Sequence, residues 1–330
     1  MDRLLECIPN VSEGSDAESL AAVAEAIDGT TGAWLLDQTA DSDHARSVFT
    51  MVGEPSRVVA AMEASMAVAI ERIDMRRHSG QHPRIGAVDV VPFVPLGEVT
   101  LDECTVVART FAASVAERFE LPVYLYAHAA RQPRRRVLAD IRRPGFEGLG
   151  AAMAKDGGEP DFGPRRPHPT AGATVVGARQ LLIAWNIQLE STDVTVARRI
   201  AARIRERGGG LPGIQALGLG LDSLGSLGCV QVSMNVLDFA RTPLWRVWEE
   251  VVALASAEGV SVRDSELIGL LPTAALEDVA GHIGSGGVRA DEERLRTAAS
   301  WLRIRDFTAS MVLELRLASV MAPKESSARD

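Results

Sequence analysis

The stretch DMRRHSGQHPRIGAVDVVPFVPLG, residues 74–97, places arginine, aspartate and histidine side chains directly before an apolar run. Glycine and proline punctuate its polar half, so a helix cannot continue through it. Its apolar half is broken only by Asp89. This order predicts a helix ending near Met75, a tight polar loop, and a strand over Ile85–Val94. A loop held between rigid elements is a common place for functional groups. A solvated basic turn is the structural alternative.

The bulk composition is that of a chain with a substantial core. The 330 residues are 46% hydrophobic and 24% charged, and the net charge is −9. An acidic chain of this kind argues against nucleic acid or an anionic membrane as the main partner. Small anionic ligands remain compatible with it, because local arginine-rich loops can dominate a site.

The cysteines and the chain start bear on the compartment. Cys7, Cys104 and Cys229 are widely spaced, odd in number and without CxxC spacing, which predicts a reducing cytoplasm and no zinc site. The first residues lack a cationic segment followed by an apolar one, so no signal peptide is expected. No apolar run reaches the length of about 18 residues that would suggest a membrane span.

The spacing of apolar residues and the positions of helix-starting and helix-ending residues predict two successive β-α-β-β-α-β units. In the first, Asp37 is expected at the end of a strand, Gln38–Ala45 as a polar loop, and Pro133–Gly163 as a long connection. The predicted strands and helices of that unit are Leu4–Ile8, Asp16–Ile27, Ala33–Leu36, Ser47–Val52, Pro55–Ile73, Ile85–Val94, Leu101–Phe119 and Val123–Tyr126.

The second unit follows from residue 181. The predicted elements are Leu181–Leu189, Thr192–Arg207, Ile214–Leu217, Cys229–Val236, Pro243–Ala257 and Val260–Leu267. The glycine-rich stretch 208–228 is expected as a loose hairpin loop, since it lacks phosphate-loop spacing.

Two such units predict an α+β fold of two ferredoxin-like α/β sandwich subdomains with a ligand cleft between them. The expected boundaries are residues 1–180, 181–310 and a C-terminal tail over 311–330.

His82, in GQHPRIG, is the candidate proton carrier. A neutral imidazole can take a proton from an attacking amine and return it to a leaving one. The following proline favours an extended backbone at His82. A plain surface histidine is the alternative that local sequence leaves open.

A second polar cluster, LLDQTADSDHARS, contains Asp37, Asp41, Asp43, His44 and Arg46. Its carboxylates are candidates to orient a histidine or to hold a cationic substrate group. Ordinary hairpin chemistry is the competing interpretation. The spacing lacks the twelve-residue calcium-loop pattern.

The stretch PDFGPRRPHPTAGATVVGA, residues 160–178, combines glycine and proline with Arg165, Arg166 and His168. Glycine permits close approach of the backbone to a ligand, and arginine suits carboxylates. A binding loop and an interdomain linker are both open for this segment.

The order of the motifs resembles the glutamate formimidoyltransferase family, the formiminotransferase part of formiminotransferase-cyclodeaminase. Seven stretches carry the likeness over about residues 3–310: ECIPNVSEG, LLD with DSDHARS, residues 74–97, PVYLY, PDFGP, HPTAGATVVGAR and NVLDF. The resemblance implies a cytoplasmic homodimeric transferase of histidine and one-carbon metabolism. It would move a formimidoyl group from N-formimidoyl-L-glutamate to N5 of tetrahydrofolate, with tetrahydrofolate as co-substrate and no metal.

The resemblance also implies roles for individual residues. The family's catalytic histidine matches His82. In the resemblance, the animal enzymes carry an aspartate at the position of Thr39. Either Asp37 or Asp41 therefore supplies the carboxylate beside that histidine, or this role is absent. Arg46 and Arg84 are candidates for substrate carboxylates. The folate-contacting segment matches Gly163, Pro164, Arg165, Arg166, Pro167, His168, Pro169, Thr170, Ala171 and Gly172.

No cyclodeaminase counterpart is recognised, so a separate protein is expected to process the product. Two other functions stay open at this point. One is transfer of a formyl group from N-formylglutamate to tetrahydrofolate. The other is a folate-binding homologue without turnover.

Overall fold

The computed structural model describes residues 3–42, 45–78, 83–220, 229–285 and 292–322. The chain divides into two compact units, residues 1–181 and 182–330. Both units combine a β-sheet with helices, which confirms the mixed fold class with two subdomains. The predicted cleft stays a prediction.

The first unit contains a seven-stranded sheet within the described residues. Its elements in chain order are β1 (Arg3–Cys7), β2 (Asn10–Val11), α1 (Ala17–Asp28), β3 (Ala33–Asp41), β4 (Arg46–Gly53), α2 (Pro55–Arg72), β5 (Val88–Gly97), α3 (Leu101–Arg118), β6 (Val123–Ala127), α4 (Leu138–Arg142), α5 (Gly145–Ala154) and β7 (Thr174–Ala178).

The strand order across this sheet is β3, β4, β1 with β2, β5, β7, β6. Strands β1 and β2 form one interrupted line, because both pair with β4 on one side and with β5 on the other. Strands β5, β7 and β6 run parallel, while the other pairings are antiparallel. The β1-α1-β3-β4-α2-β5 core is therefore a ferredoxin-like unit, extended at its β5 edge by two parallel strands.

Two apolar layers cover the sheet. Helices α1, α2 and α3 contribute Val23, Met62 and Phe111 to the larger core cluster. On the other side, Leu149 and Met153 of α5 pack with Tyr124 and Tyr126 of β6. Burial of these faces is the main driving force that holds the helices to the sheet.

The helix starts follow from local chemistry. The Asp16 side chain accepts hydrogen bonds from the amides of Glu18 and Ser19, which caps α1 as expected. Pro55 occupies the first turn of α2, where its missing N–H costs nothing. The helices predicted from these two signals are confirmed.

The interpretation of Gln38–Ala45 as a polar loop is wrong in part. Strand β3 continues to Asp41, and its register with β4 runs from Asp37 opposite Thr50 to Asp41 opposite Arg46. Asp37 consequently lies inside the strand rather than at its end. Asp and Ser favour turns in isolation, but the cross-strand backbone hydrogen bonds outweigh that preference here.

The segment predicted as a long connection, Pro133–Gly163, contains the short helices α4 and α5. The segment is rich in small residues, so its apolar residues show only weak helical periodicity in the sequence. The helices are stabilised by packing against the sheet rather than by propensity.

The second unit is built around a four-stranded antiparallel sheet in the order β11, β8, β10, β9. Numbered within the unit, this is the 4-1-3-2 order of a ferredoxin-like fold. The elements are β8 (Ile183–Leu189), α6 (Val194–Ile204), β9 (Ile214–Gly220), β10 (Val230–Val236), α7 (Leu244–Ala257), β11 (Val262–Ile268), α8 (Thr273–His282), α9 (Glu292–Trp301) and α10 (Leu313–Met321).

The predicted C-terminal tail, residues 311–330, includes helix α10. Leu313 is buried at the start of α10, and its amide donates to the carbonyl of Leu271. The stretch Pro323–Asp330 lies outside the described residues. No helix in the described part of the chain is long and apolar enough to cross a membrane.

Candidate active site

A small pocket opens where the interrupted strand β1/β2, the β3–β4 turn and the chain before β5 meet. Cationic, anionic and imidazole side chains line it. Its lining residues are Asn10, Val11, Ser12, Ala45, Arg46, His78, Arg84 and Asp89. Arg46 and Arg84, both expected at the site, are thus brought together.

The β3–β4 hairpin brings more of the expected residues to one face of the sheet. Residues opposite each other in an antiparallel pair share a face, and alternate residues along a strand return to it. Asp37, Thr39 and Asp41 therefore lie on one face, with Arg46 opposite Asp41. Asn10 is on the same face, because both it and Thr39 pair with Val48.

Thr39 contacts the predicted support carboxylate. Its hydroxyl donates a 3.2 Å hydrogen bond to Asp37 Oδ2. Both side chains are half-buried. Asp37 is thereby oriented by its neighbour on the same face.

Arg46 is the central cation of the hairpin end. Burial lowers the pKa of Arg46, the positive charge of Arg142 lowers it further, and the carboxylates of Asp41 and Asp89 oppose the shift. A guanidinium retains its charge under such conditions. The cluster thus presents a partly desolvated positive charge flanked by two carboxylates.

Asp89, which lines the pocket, and its ion-pair partner Arg142 were not expected at the site from the sequence. Asp89 is 3% exposed, forms an ion pair with Arg142 of α4, and accepts a 2.7 Å hydrogen bond from the amide of Ile85. The pairing of β2 with β5 shifts register beside it. A single charge inside an apolar run was the available signal, but the sequence did not indicate its partner.

His78 is a second missed residue. Its Nε2 lies 2.8 Å from the carbonyl oxygen of Ala45, and its Nδ1 accepts a 2.9 Å hydrogen bond from Arg84 Nε. Arg84 Nη2 also donates to the His78 carbonyl and to Glu147 Oε1. The guanidinium of Arg84 is 12% exposed. This predicted substrate contact is therefore also a structural link between three segments.

The segment Gly163–Gly172 is shaped by positive backbone angles and close contacts. Gly172 has φ +71°, and a Cβ there would lie 2.2 Å from the carbonyl oxygen of Ile85. Gly163 has φ +82° and is similarly crowded by the Leu121 carbonyl. Glycine is the residue that tolerates both constraints.

This segment lies against the chain on both sides of His82. The amide of Met75 donates to Thr170 O, the amide of Ala87 donates to Ala171 O, and the amide of Ala173 donates to Ile85 O. The two regions singled out in the sequence are therefore neighbours in the fold.

The basic residues of the segment have different surroundings. Arg165 donates three hydrogen bonds to the carbonyls of Met153, Ala154 and Lys155 at the end of α5. Arg166 is exposed, and its guanidinium lies 3.9 Å from Glu120. The first arrangement is a helix cap, while the second leaves the guanidinium facing solvent.

His168 and Arg166 line a second pocket of about 450 Å³. Nδ1 of His168 accepts a 3.0 Å hydrogen bond from the amide of Ala171. Partial burial lowers the pKa of His168, with Glu120 opposing the shift. The remaining lining residues are Ile70, Arg118, Phe119, Glu120, Pro167 and Pro169.

His82, Asp43 and His44 lie outside the described residues. In the part of the chain that the structure describes, no group of three or more His, Cys, Asp or Glu side chains could hold a metal ion.

Comparison with known proteins defines the class. Residues 4–179 match the N-terminal subdomain of the formiminotransferase domain, and residues 184–306 match the formiminotransferase domain model that follows it. The chain therefore belongs to the formiminotransferase family.

Similar proteins narrow this to a particular enzyme type. The chain is 41% identical to a glutamate formimidoyltransferase from Streptococcus pyogenes, over 85% of this chain and 93% of that protein. It is also 41% identical to a glutamate formimidoyltransferase from Thermoplasma acidophilum, over 84% and 91% respectively. A formimidoyltransferase-cyclodeaminase from Gallus gallus is 44% identical over 85% of this chain, which spans about half (52%) of that longer protein.

Proposed function

We propose that this protein is a glutamate formimidoyltransferase, which moves a formimidoyl group from N-formimidoyl-L-glutamate to N5 of tetrahydrofolate. The observation that carries the proposal is the 41% identity to a glutamate formimidoyltransferase over nearly all of that relative's length. The relatives' names favour a formimidoyl donor over a formyl donor, and they favour an enzyme over a folate-binding protein without turnover.

The chemistry requires one proton carrier. N5 of tetrahydrofolate attacks the cationic amidine carbon of the donor, and a C–N bond forms at a tetrahedral centre. The base removes the N5 proton and returns it to the glutamate nitrogen as the original C–N bond breaks. General acid–base transfer of this kind contributes on the order of 10²–10⁴-fold.

His82 is the residue proposed for this role. Among the histidines of the first unit that the structure describes, which excludes His44, the surroundings of His78, His128 and His168 support the choice. Nδ1 of His78 and Nδ1 of His168 both accept hydrogen bonds from protein N–H groups. A neutral imidazole has one lone pair available for a proton, and in these two rings it is already engaged. His128 is exposed and lines neither of the two pockets.

Asp37 and Asp41 are proposed to stabilise the amidinium or the imidazolium. Asp37 is held by the Thr39 hydroxyl, and Asp41 is the cross-strand neighbour of Arg46. A carboxylate placed on the same face as the reacting cation lowers the energy of developing positive charge.

Arg46, which lines the first pocket, and Arg166, which lines the second, are the proposed contacts for substrate carboxylates. Arg165 and Arg84 are less suited, because their guanidinium N–H groups already donate hydrogen bonds within the protein. Arg165 donates to carbonyls at the end of α5. Arg84 donates to His78 and to Glu147. Bidentate recognition of a carboxylate needs two parallel N–H groups.

The test is the substitution His82→Ala, with His128→Ala as the matched control. Transfer to tetrahydrofolate is followed with N-formimidoyl-glutamate and, separately, N-formyl-glutamate. We expect H82A to reduce kcat by on the order of 10²–10⁴-fold while tetrahydrofolate binding, measured by calorimetry, is retained. H128A should match the wild type. Near-normal kcat in H82A would refute the role of His82, and turnover of the formyl donor alone would refute the proposed substrate.

We further propose a homodimer, a cytoplasmic location, and a separate cyclodeaminase that processes the product. The support for the location is that all three cysteines are buried free thiols, as expected for a reducing compartment. The support for the separate enzyme is that the animal relatives join both activities in one longer chain.

A further inference from the structure

The imidazole of His78 has both ring nitrogens committed within the fold. The Ala45 carbonyl can only accept a hydrogen bond, so Nε2 of His78 carries the proton. The guanidinium of Arg84 can only donate, so Nδ1 of His78 carries the lone pair. The two contacts therefore select the neutral ring with its proton on Nε2.

The bond from His78 to Ala45 joins segments that are far apart in sequence, while the bond from Arg84 spans six positions. Ala45, 33 positions away, has φ +47° and directly precedes Arg46. A non-glycine residue in this region is strained and needs its surroundings to hold it. His78 supplies one such contact at the carbonyl of Ala45.

His78 accepts two hydrogen bonds from Arg84. One goes from Arg84 Nε to the ring Nδ1, and the other goes from Arg84 Nη2 to the His78 carbonyl oxygen, 3.1 Å away. The outer edge of that guanidinium meets Glu147 at 2.8 and 3.2 Å. Arg84 is thus oriented by His78 from inside and by an exposed carboxylate from outside.

We propose that His78 is a positioning residue that holds the turn before Arg46 and the side chain of Arg84 in one arrangement at the pocket. This inference rests on the proposed function and extends it to a residue with no role assigned so far. His78 does not carry the transferred proton, because that would require breaking its bond to Arg84 or to Ala45. Displacement of positioning groups by about 1 Å can cost on the order of 10²-fold in rate.

The substitutions His78→Leu and His78→Gln separate positioning from proton transfer. Leucine keeps bulk but removes both hydrogen bonds. Glutamine offers one amide N–H donor for Ala45 and one carbonyl acceptor for Arg84. The matched control is His128→Leu, which changes an exposed histidine of the same unit.

We expect H78L to lower kcat/KM at least tenfold, whereas H128L should keep the wild-type value. H78Q should stay within about threefold of the wild type and keep the wild-type pH profile. Combining H78L with R84K should cost no more than the worse single change, because both break the same link. Wild-type kcat/KM in H78L would overturn the proposal, as would H78Q being as impaired as H78L.

Nitrogen-15 NMR of the histidine side chains provides a readout independent of activity. The proposal requires a protonated Nε2 and an unprotonated Nδ1 for His78 at neutral pH, and this also covers the case in which H78L does not fold. The opposite tautomer or a doubly protonated ring would refute the proposal. Absence of formimidoyl transfer in the wild type would instead refute the proposed function and leave the NMR result standing.

Discussion

Asp89 shows how much one residue depends on a partner that is distant in sequence. Within the apolar run of β5, a lone carboxylate is expected to face water. The structure buries it against Arg142, 53 positions further on, and the Ile85 amide completes its hydrogen bonding. Burial of such a pair is tolerated only because both charges are compensated.

Substitution Asp89→Asn should therefore be costly. The amide can still accept from Ile85, but it leaves the Arg142 guanidinium buried without a counter-charge. We expect the free energy of unfolding to fall by about 3 kcal/mol, near the lower end for breaking a buried pair. Urea denaturation followed by circular dichroism measures the change.

The control for that experiment is Asp140→Asn. Asp140 of α4 pairs with Arg143, the residue that follows this helix, and the Arg143 side chain is 74% exposed. An exposed pair contributes between 0 and about 1 kcal/mol. Equal losses in D89N and D140N would show that burial of the Asp89 pair is energetically irrelevant.

Residues 78 and 82 illustrate the limit of sequence reasoning at the same scale. The two histidines are four positions apart in the polar stretch before β5, and local sequence names His82 as a candidate but gives no role to His78. The contacts of His78 distinguish it, because its ring bonds the Ala45 carbonyl, 33 positions away, as well as Arg84, six positions on. The assignment of His82 still rests on its motif.

At the scale of elements, helix starts were predictable and the hairpin end was not. The capping box of α3 is complete, with the Thr100 hydroxyl accepting from the Glu103 amide and the Glu103 carboxylate accepting from the Thr100 amide. These contacts are local in sequence. Strand β3 instead extends through polar residues because β4 pairs with it, and that pairing is not visible in residues 37–41 alone.

The α3 cap leads to a prediction on pH dependence. The backbone amide of Thr100, followed by the Arg3 guanidinium and the Thr100 hydroxyl, lowers the pKa of Glu103 from 4.5 to about 2. A depressed folded-state pKa contributes stability above pH 4.5, and that contribution is lost as the pH falls towards 2. Glu103→Gln should therefore lower the thermal midpoint at pH 7 and have a smaller effect near pH 2.

Thermal scans between pH 2 and pH 7 on wild type and E103Q measure this difference. The control is Glu98→Gln, which removes one negative charge shortly before the start of α3. A difference between wild type and E103Q that stays constant over the whole pH range would contradict the linkage argument.

At the scale of the whole molecule, the two units have separate sheets and the cysteines are distributed between them. Cys7 and Cys104 belong to the first unit and Cys229 to the second, and all three are at most 3% exposed. Burial raises the pKa of Cys104 to about 12 and also raises the pKa of the other two thiols. The thiolate is the reactive form of cysteine.

We therefore expect the native protein to react with a thiol-specific disulfide reagent at pH 8 at least ~100-fold more slowly than the protein in denaturant. Three thiols should be titrated once the chain is unfolded. A thiol that reacts in the native protein as fast as free cysteine would show that one unit opens locally. Fewer than three thiols after unfolding would indicate a disulfide.

Local and periodic features were determined by the sequence itself: the two β-α-β-β-α-β units, the caps at Asp16 and Thr100, and the family to which the motifs belong. These depend on side chains a few positions apart, so a linear pattern contains them. Only the tertiary structure decided that Asp89 pairs with Arg142, that His78 joins Ala45 to Arg84, and that Gly163–Gly172 lies beside Met75 and Ile85. Apart from the hydrogen bonds between His78 and Arg84, which span six positions, these contacts join residues separated by tens of positions. Backbone pairing and burial bring such residues together, and no local periodicity encodes them.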